Sequence, residues 1–264
     1  MSKVVIVVDA EVEETEAQIA TYSTTSRMVS ALKQAITSFA TDTRGTTQAS
    51  ATVEVVTTSA LRNQIGGSLP TDVGHDNNPK SHDILYCPLT LNLPESFNFA
   101  AGHVYKACSD VSGLRQWVKQ QGIASGTGDL WLPIVLTAKG PLYGEAIGLA
   151  AEVSGKELSL DLSRFSSGAD KVPYQQPVHL SDVWRQPLYQ LGYRLLKFLS
   201  APPSTYLLQF GFQNQNIVFD RLWPFPAAPA IASLDIQTPD LFTCHWYCLT
   251  ETPIFDLSII PAKD

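Results

Sequence analysis

The sequence has no hydrophobic run long enough to cross a membrane and no region typical of a secretory signal. A spanning helix needs about 20 mainly apolar residues, and nowhere in the 264 residues do even about 18 apolar residues follow one another. At the amino terminus, MSKVVIVVDAEVEE places a short apolar run before a block of acids, without the small-residue cleavage site of a signal. We therefore expect a cytoplasmic protein with no membrane partner.

Cysteines and clustered basic residues are also scarce. The four cysteines are too few and too unevenly placed for a disulfide framework, so we expect free thiols in a reducing compartment. Eighteen Lys and Arg residues stand against 25 Asp and Glu residues, which gives a formal charge of −7, and the basic residues are scattered singly. This pattern lacks the basic patch that binds nucleic acid, so we predict a small molecule or a protein as the partner.

The common catalytic motifs are missing too. The sequence contains no G-x-S-x-G, no Walker loop and no dinucleotide fingerprint, and GTGDLW resembles a nucleotide turn for three residues only. Serine hydrolase and classical nucleotide-binding interpretations are therefore unsupported rather than excluded.

The first 95 residues alternate between strand and helix patterns. Lys3 to Val8 is a β-branched run that predicts a buried strand, and apolar positions three and four residues apart from about Thr24 predict an amphipathic helix. ATVEVV, TSALRNQI and DILYCPL then predict a strand, a short helix and a third strand. Alternation of this kind indicates a parallel sheet with right-handed crossovers.

Residues 96–264 have the pattern of antiparallel hairpins with one long helix. DLWLPIVLTA, LYGEAIGLA and ELSLDLS are separated by Gly-containing turns, TYLLQFGF and IVFDRLW flank QNQN, and LFTCHWYCLT and IFDLSII predict the closing strands. Leucines at helical spacing predict a helix from about Ser181 to Ser200. We therefore predict an α/β to α+β mixed fold, in which a short parallel βαβ-type part (1–95) packs with a larger antiparallel part (96–264), and the two can share one core.

The stretch DLFTCHWYCLT places Cys244, His245 and Cys248 within five positions. In a strand the two sulfurs share one face and His245 points to the other. A structural zinc site wants four ligands, usually in two separated pairs, and a redox dithiol has two intervening residues at a helix start. We therefore predict a buried strand whose cysteines act as small hydrophobes, with a metal site and a reactive thiol as alternatives.

A turn-rich segment contains a second cluster of possible ligands. GHDNNPKSHD offers His75 and His82 with neighbouring aspartates, and imidazole with carboxylate suits a divalent metal. A solvated loop is the alternative.

A third cluster lies at the end of a predicted strand. FDRLWPFP places Asp220 and Arg221 beside Trp223 and Phe225, and an Arg among aromatic rings can hold a planar or anionic ligand or a protein partner. The alternative is a structural Asp–Arg pair under a hydrophobic turn.

Two resemblances to known families are present. DILYCPLTLNLPESFNFAAG, residues 83–102, resembles the FMN-dependent cysteine decarboxylase flavoproteins, in which a strand ends in a Pro-x-Ser/Thr-x-Asn turn against the flavin. The resemblance implies FMN contacts from Pro88, Thr90 and Asn92, although acids follow the first strand where that family has a small Gly-Ser turn. The carboxyl-terminal third resembles uncharacterised conserved proteins of cyanobacteria, which implies no activity.

Without a matched nucleophile, base and orienting acid, the sequence favours a non-catalytic ligand-binding or protein-interaction protein. The alternatives are an FMN-binding enzyme that uses the turn from Pro88 to Asn92, and a metal-dependent enzyme that uses His75 and His82.

Overall fold

A computed structural model describes residues 3–9, 24–42, 52–66, 84–150 and 174–260. None of the helices within these ranges combines the length and the apolar character that a membrane crossing needs.

A small parallel sheet forms first in the chain. Its strands are β1 (Lys3–Val8), β2 (Thr52–Thr57) and β3 (Ile84–Pro88), in the order β2-β1-β3, with Ile6 opposite both Val55 and Cys87. The crossovers contain α1 (Thr24–Asp42) and α2 (Thr58–Gly66). This is the strand and helix order that the sequence predicts.

The central strand buries both of its faces. Val4 and Ile6 pack in one hydrophobic cluster with Leu32 of α1, whereas Val5 and Val7 pack in another with Leu61 of α2. The side chains of a strand alternate between its faces, so α1 and α2 lie on opposite faces of the sheet. A continuous β-branched run is what such a doubly covered strand requires.

Two helices follow that the sequence interpretation did not include. They are α3 (Gly102–Ser109) and α4 (Val111–Gln120). Asp110 separates them and accepts a hydrogen bond from Gly113 N at 2.9 Å, so it caps α4. Leu114 and Val118, four residues apart, form the buried face of α4.

The larger sheet contains seven strands. Six of them follow the order β4-β10-β9-β5-β7-β8, and β6 pairs with β5. The strands are β4 (Ala124–Ser125), β5 (Leu130–Thr137), β6 (Gly140–Tyr143), β7 (Ala146–Leu149), β8 (Tyr174–Val178), β9 (Ser204–Gln213) and β10 (Asn216–Trp223). All pairs are antiparallel except β4 with β10.

The hairpin between β9 and β10 forms where QNQN predicts it. Asn214 and Gln215 have φ angles of 50° and 59°, the left-handed conformation that a tight turn between strands needs. The predicted long helix is also present as α5 (Asp182–Phe198), and its buried leucines pack on one face of the larger sheet with Leu132, Tyr206 and Phe210.

The prediction of a strand at LFTCHWYCLT is wrong. Residues Leu241–Leu249 form helix α6, which begins at Asp240, whose carboxylate accepts hydrogen bonds from Phe242 N at 2.8 Å and Thr243 N at 3.1 Å. An aspartate at this position satisfies backbone donors that a helix start leaves free. The segment is hydrophobic because the helix is buried on most of its surface. A short apolar run occurs in buried helices and in buried strands alike, so the sequence alone does not separate the two.

The carboxyl-terminal elements are short. A 3₁₀ helix (Ala228–Ser233) precedes β11 (Gln237–Thr238), which pairs with β12 (Ser258–Ile259), so only two residues of IFDLSII form a strand. ELSLDLS lies outside the described residues.

The predicted fold class is confirmed, because a small parallel sheet accompanies a larger, mainly antiparallel sheet and a long helix. The division at residue 95 stays a prediction.

Candidate functional site

The carboxyl ends of β1 and β3 bring four polar side chains together, which we call the edge cluster: Asp9, Arg62, Thr90 and Asn92. Thr90 Oγ1 donates a hydrogen bond to Asp9 Oδ1 at 2.8 Å and accepts one from Asn92 N at 2.9 Å. Arg62, from α2, donates to Asn92 Oδ1 at 2.8 Å. The strand ends are themselves joined, because Leu89 N donates to Val7 O at 2.8 Å.

The strand order of the small sheet places the edge cluster at a position where parallel sheets commonly bind ligands. Helix α1, which comes after β1, and helix α2, which comes after β2, pack on opposite faces of the sheet, and the strand order β2-β1-β3 changes direction at the boundary between β1 and β3. Open parallel sheets bind ligands in the crevice outside such a switch point. The edge cluster therefore lies where this topology favours a ligand.

The predicted turn residues have different environments within this edge. Thr90 is 4% exposed and its hydroxyl is engaged by Asp9 and Asn92, so it holds the turn in place. The carbonyl oxygen of Pro88 accepts a hydrogen bond from Tyr105 Oη at 2.8 Å. Asn92 and Asp9 are exposed and offer polar atoms to solvent.

The larger sheet carries a second group of side chains, which the register of its strands aligns. Gln209 of β9 lies opposite Trp131 of β5 on one side and opposite Arg221 of β10 on the other. Residues that are directly opposite share a face, and Trp223 is on the same face because it is two residues beyond Arg221. We call Trp131, Gln209, Arg221 and Trp223 the sheet-face cluster.

Contacts within the sheet-face cluster fix its geometry. The Arg221 guanidinium lies 5.4 Å from the centroid of the Trp223 ring, and Trp223 Nε1 donates to Gln209 Oε1 at 3.0 Å. Gln209 Nε2 in turn donates to Gly128 O at 2.6 Å. The Arg221 side chain is 35% exposed, so this cation remains accessible while it stacks on an indole ring.

Asp220 supports the cluster from a buried position. Its two carboxylate oxygens accept hydrogen bonds from Arg115 Nη2 at 2.6 Å and from Gly128 N at 3.0 Å, and its carbonyl accepts one from Arg115 Nε at 3.0 Å. Arg221 Nε lies 3.5 Å from the same carboxylate. Asp220 is 5% exposed and so joins α4, the 126–128 segment and β10 instead of facing solvent.

The structure thus gives the four predicted ligand-binding residues separate environments. Arg221 and Trp223 are partly accessible, and Asp220 lies beneath them. Phe225 is 2% exposed and packs between the rings of Tyr105 and Trp223, at centroid distances of 5.8 and 6.0 Å. His75 and His82 lie outside the described residues.

The cysteines of CHWYC are buried free thiols on one face of α6. Burial raises the pKa of Cys248 to about 12 and the pKa of Cys244 well above its usual value, and a thiol in that state supplies little nucleophilic thiolate at neutral pH. Among the residues that the structure describes, no three His, Cys, Asp or Glu side chains are grouped closely enough to hold a metal ion.

Sequence inspection missed Gln209, Trp131 and Arg115. Each lies in an unremarkable strand or helix, and the first two meet Arg221 only through the pairing of β5, β9 and β10. The one local signal is the pair of glycines in GTGDLW, because a Cβ on Gly128 would collide with the backbone carbonyl of Phe210 in β9. That segment is a packing element that carries hydrogen bonds to Asp220 and Gln209.

No protein-family model matches the sequence, and no curated protein matches it either. Several solved structures share its fold. Glycinamide-RNase-transformylase T from Mycobacterium tuberculosis is 12% identical, with a TM-score of 0.59 over 97% of this chain and 82% of that one. An N5-carboxyaminoimidazole ribonucleotide synthetase in complex with ADP is 9% identical, with a TM-score of 0.57 over 98% and 79%.

A third match is the L-amino acid ligase from Bacillus licheniformis, which is 6% identical with a TM-score of 0.52 over 94% of this chain and 74% of that one. These three proteins are ATP-grasp enzymes. At such identities the likeness shows a shared fold, and it extends over nearly the whole chain.

This likeness corrects the interpretations made from sequence. The resemblances to a cyanobacterial family and to FMN-dependent cysteine decarboxylases are wrong, because the fold is shared with ATP-grasp enzymes. The expectation of a non-catalytic binding or interaction protein is contradicted by the same finding. The alternatives of an FMN enzyme at Pro88 to Asn92 and of a metal-dependent enzyme at His75 and His82 also do not match these neighbours.

Proposed function

We propose that the protein is an ATP-dependent enzyme that acts on a small molecule. The nucleotide binds at the sheet-face cluster, beside Arg221, Gln209 and Trp223, and the second substrate binds at the edge cluster, beside Asp9 and Asn92. The observation that carries the proposal is the fold likeness over 94–98% of the chain to a transformylase, a synthetase solved with ADP, and a ligase.

The side chains of the sheet-face cluster are of the kinds that bind a nucleotide. Arg221 is a partly exposed, permanently charged group whose planar guanidinium can pair with phosphate oxygens in a bidentate manner. The Trp223 ring beside it offers a surface for a base or a sugar. Arg115 and Arg221 together carry two positive charges against the single carboxylate of Asp220, so an anion finds a net positive charge there.

The chemistry of the edge cluster supports a small polar substrate. Asp9 offers an acceptor, Arg62 offers donors and Asn92 offers both, and all three side chains are exposed at the switch point of the small sheet. Thr90 fixes the separation of Asp9 and the Asn92 backbone through its two hydrogen bonds. Thr90 therefore positions the turn and does not itself contact the substrate.

Enzymes that use ATP commonly bind Mg²⁺ through one or two carboxylates and the phosphates themselves. The described residues do not fit such a site at the sheet-face cluster, because both oxygens of Asp220 are engaged by Arg115 and Gly128. We also propose a cytoplasmic location. The free cysteines at positions 87, 108, 244 and 248 support it, because thiols stay reduced in the cytoplasm.

Isothermal titration with ADP and with ATP tests the proposal. We expect saturable binding by the wild-type protein and a loss of about tenfold or more in affinity for Arg221→Gln, since a charge-assisted hydrogen bond contributes about 1.5–3 kcal/mol. Arg194→Gln is the matched control, because Arg194 is an exposed arginine on α5, and it should bind as the wild type does. Absence of nucleotide binding by the wild type, or equal losses in both variants, would contradict the proposal.

A further inference from the structure

The helices that cover one face of the larger sheet are basic, whereas the rest of the chain is acidic. Helices α3, α4 and α5 together carry six Lys and Arg residues against two acids, Asp110 and Asp182. The remaining residues carry 12 bases against 23 acids, so a net charge of +4 on these helices contrasts with −11 elsewhere. The bases stand singly in the sequence, and the fold gathers them into one layer, because all three helices pack in the same hydrophobic cluster.

Two contacts join the three helices near the carboxyl end of α5. The rings of Trp117, in the last turn of α4, and Phe198, the last residue of α5, stack with their centroids 4.7 Å apart. His103, near the start of α3, places Nε2 3.3 Å from the carbonyl oxygen of Ser200, just beyond α5. The start of α3 and the ends of α4 and α5 therefore meet at one place.

Three exposed lysines surround this meeting point, and together with the two stacked rings we call them the helix-end patch: Lys106, Lys119, Lys197, Trp117 and Phe198. Lys106 is one turn after His103, so both lie on the same side of α3. Lys119 and Lys197 belong to the last turns of α4 and α5. None of the three lysine side chains forms an ion pair or a hydrogen bond with a residue that the structure describes, so their charges are not neutralised there.

The exposed aromatic ring is the second feature of the patch. Lysines in the last turn of a helix also stabilise its dipole, so the three cations alone do not define a site. Phe198, however, is 54% exposed although Trp117 covers one face of its ring. The opposite face is left for a further planar ring, and stacking on an aromatic side chain is a common way for a protein to hold a nucleic-acid base.

We propose that the helix-end patch binds a short single-stranded nucleic acid, whose phosphates contact the three lysines and one of whose bases extends the stack on Phe198. A polynucleotide carries one planar ring for each negative charge, whereas a carboxylate-rich peptide supplies the charge without the rings. The acidic remainder of the chain repels phosphates, so the strand is confined to this layer. The patch and the sheet-face cluster lie on opposite faces of the larger sheet, and this site holds or fails without the proposed ATP-dependent activity.

The probe is a fluorescein-labelled oligothymidylate of about eight nucleotides, and its matched control is an abasic strand with the same number of phosphates. Fluorescence anisotropy measures the binding of both strands by the full chain over a range of salt concentrations. We expect saturable binding of the thymidylate, with a slope of about −2 for the logarithm of the association constant against the logarithm of the salt concentration, since three lysines contact phosphates. The abasic strand should bind about fivefold or more weakly, because it cannot stack. No saturable binding of the thymidylate, or equal affinities for the two strands, would overturn the proposal.

Two pairs of exposed variants assign the ring and the charge. Phe198→Leu should remove the preference for the thymidylate and leave the abasic strand unaffected, whereas Phe255→Leu, at a ring that is 83% exposed elsewhere, should keep the preference. Lys197→Gln should make the salt slope shallower by about 0.7, and Lys139→Gln, between β5 and β6, should leave it unchanged. A preference that survives in Phe198→Leu, or equal slopes in the two lysine variants, would contradict the assignment. An oligoglutamate peptide that displaces the thymidylate at equal concentration would also overturn it and indicate an acidic protein partner.

Discussion

The edge cluster and the sheet-face cluster are assembled in different ways. The edge cluster forms at the ends of neighbouring parallel strands, and its hydrogen bonds join Asp9 after β1, Arg62 of α2 and residues 90–92 after β3. The sheet-face cluster forms across β5, β9 and β10, and buried Asp220 connects it to α4. Damage to the edge should therefore remain local, whereas damage beneath the sheet face should affect the stability of the whole chain.

The largest effect is expected at Gly128, where the approach of two backbones leaves no room for a side chain. In Gly128→Ala, the new Cβ would collide with the carbonyl of Phe210, and we expect a loss of about 3 kcal/mol in the free energy of unfolding. Gly126→Ala is the control, since its Cβ would lie 3.2 Å from the Val218 side chain, which can move. Denaturant unfolding of both variants measures the difference, and equal stabilities would show that the close approach is unimportant.

A smaller loss is expected when the buried carboxylate is neutralised. Asp220→Asn leaves the Arg115 guanidinium without its counter-charge, and we expect a loss of about 2 kcal/mol, moderated by the partial exposure of Arg115. Asp9→Asn at the exposed edge keeps an acceptor for Thr90 and should cost less than about 0.5 kcal/mol. Comparable losses in the two variants would remove the distinction between the clusters.

The pH dependence of stability tests the burial of His245, which packs against the start of β9 beneath the larger sheet. The folded pKa of His245 is about 3, below its ordinary 6.5, so the unfolded chain takes up a proton that the folded chain does not. The contribution of His245 is therefore fully present above about pH 6.5 and falls as the pH decreases towards 3, by up to about 1.4 kcal/mol per pH unit. Unfolding curves between pH 7 and 4.5 should show this dependence, and His245→Gln should reduce it. An unchanged slope in the variant would contradict the assignment.

Apart from the control variants, the smallest loss of stability is expected at Thr90. In Thr90→Val, the side-chain volume is kept, but the hydrogen bonds with Asp9 and with Asn92 N are lost, at a cost of about 1 kcal/mol. Thr37→Val on the exposed side of α1 is the control and should cost less, since solvent replaces the hydrogen bonds of Thr37. Thermal unfolding compares the two, and a loss at Thr90 well above that of Asp220→Asn would reverse the expected order.

Sequence reasoning recovered the elements whose signals are local. The β-branched run at Lys3–Val8, the spaced apolar positions of α1 and the Asn-containing turn at 214–216 each specify structure within a few residues. It failed at Leu241–Leu249, where nearly every side chain is apolar and no period separates a helix from a strand. The cap at Asp240 is the signal that would have identified the helix.

Only some residues of the candidate site stand out in the sequence, for the same reason. Arg221 and Trp223 are conspicuous in the sequence as a charge among aromatic residues. Their partner Gln209 becomes significant only through the register of β9 and β10, which no short motif encodes. The fold likeness to ATP-grasp enzymes likewise depends on strand order and packing at 6–12% identity, where few residues remain in common.

Amide hydrogen exchange of the full chain with and without ADP tests most directly whether a nucleotide binds at the sheet-face cluster. We expect slower exchange on ADP binding in β9, in β10 and in residues 126–128, which support the sheet-face cluster, and little change in the edge cluster. Protection confined to the edge cluster, or no protection at saturating ADP, would contradict the placement of a nucleotide beside Arg221.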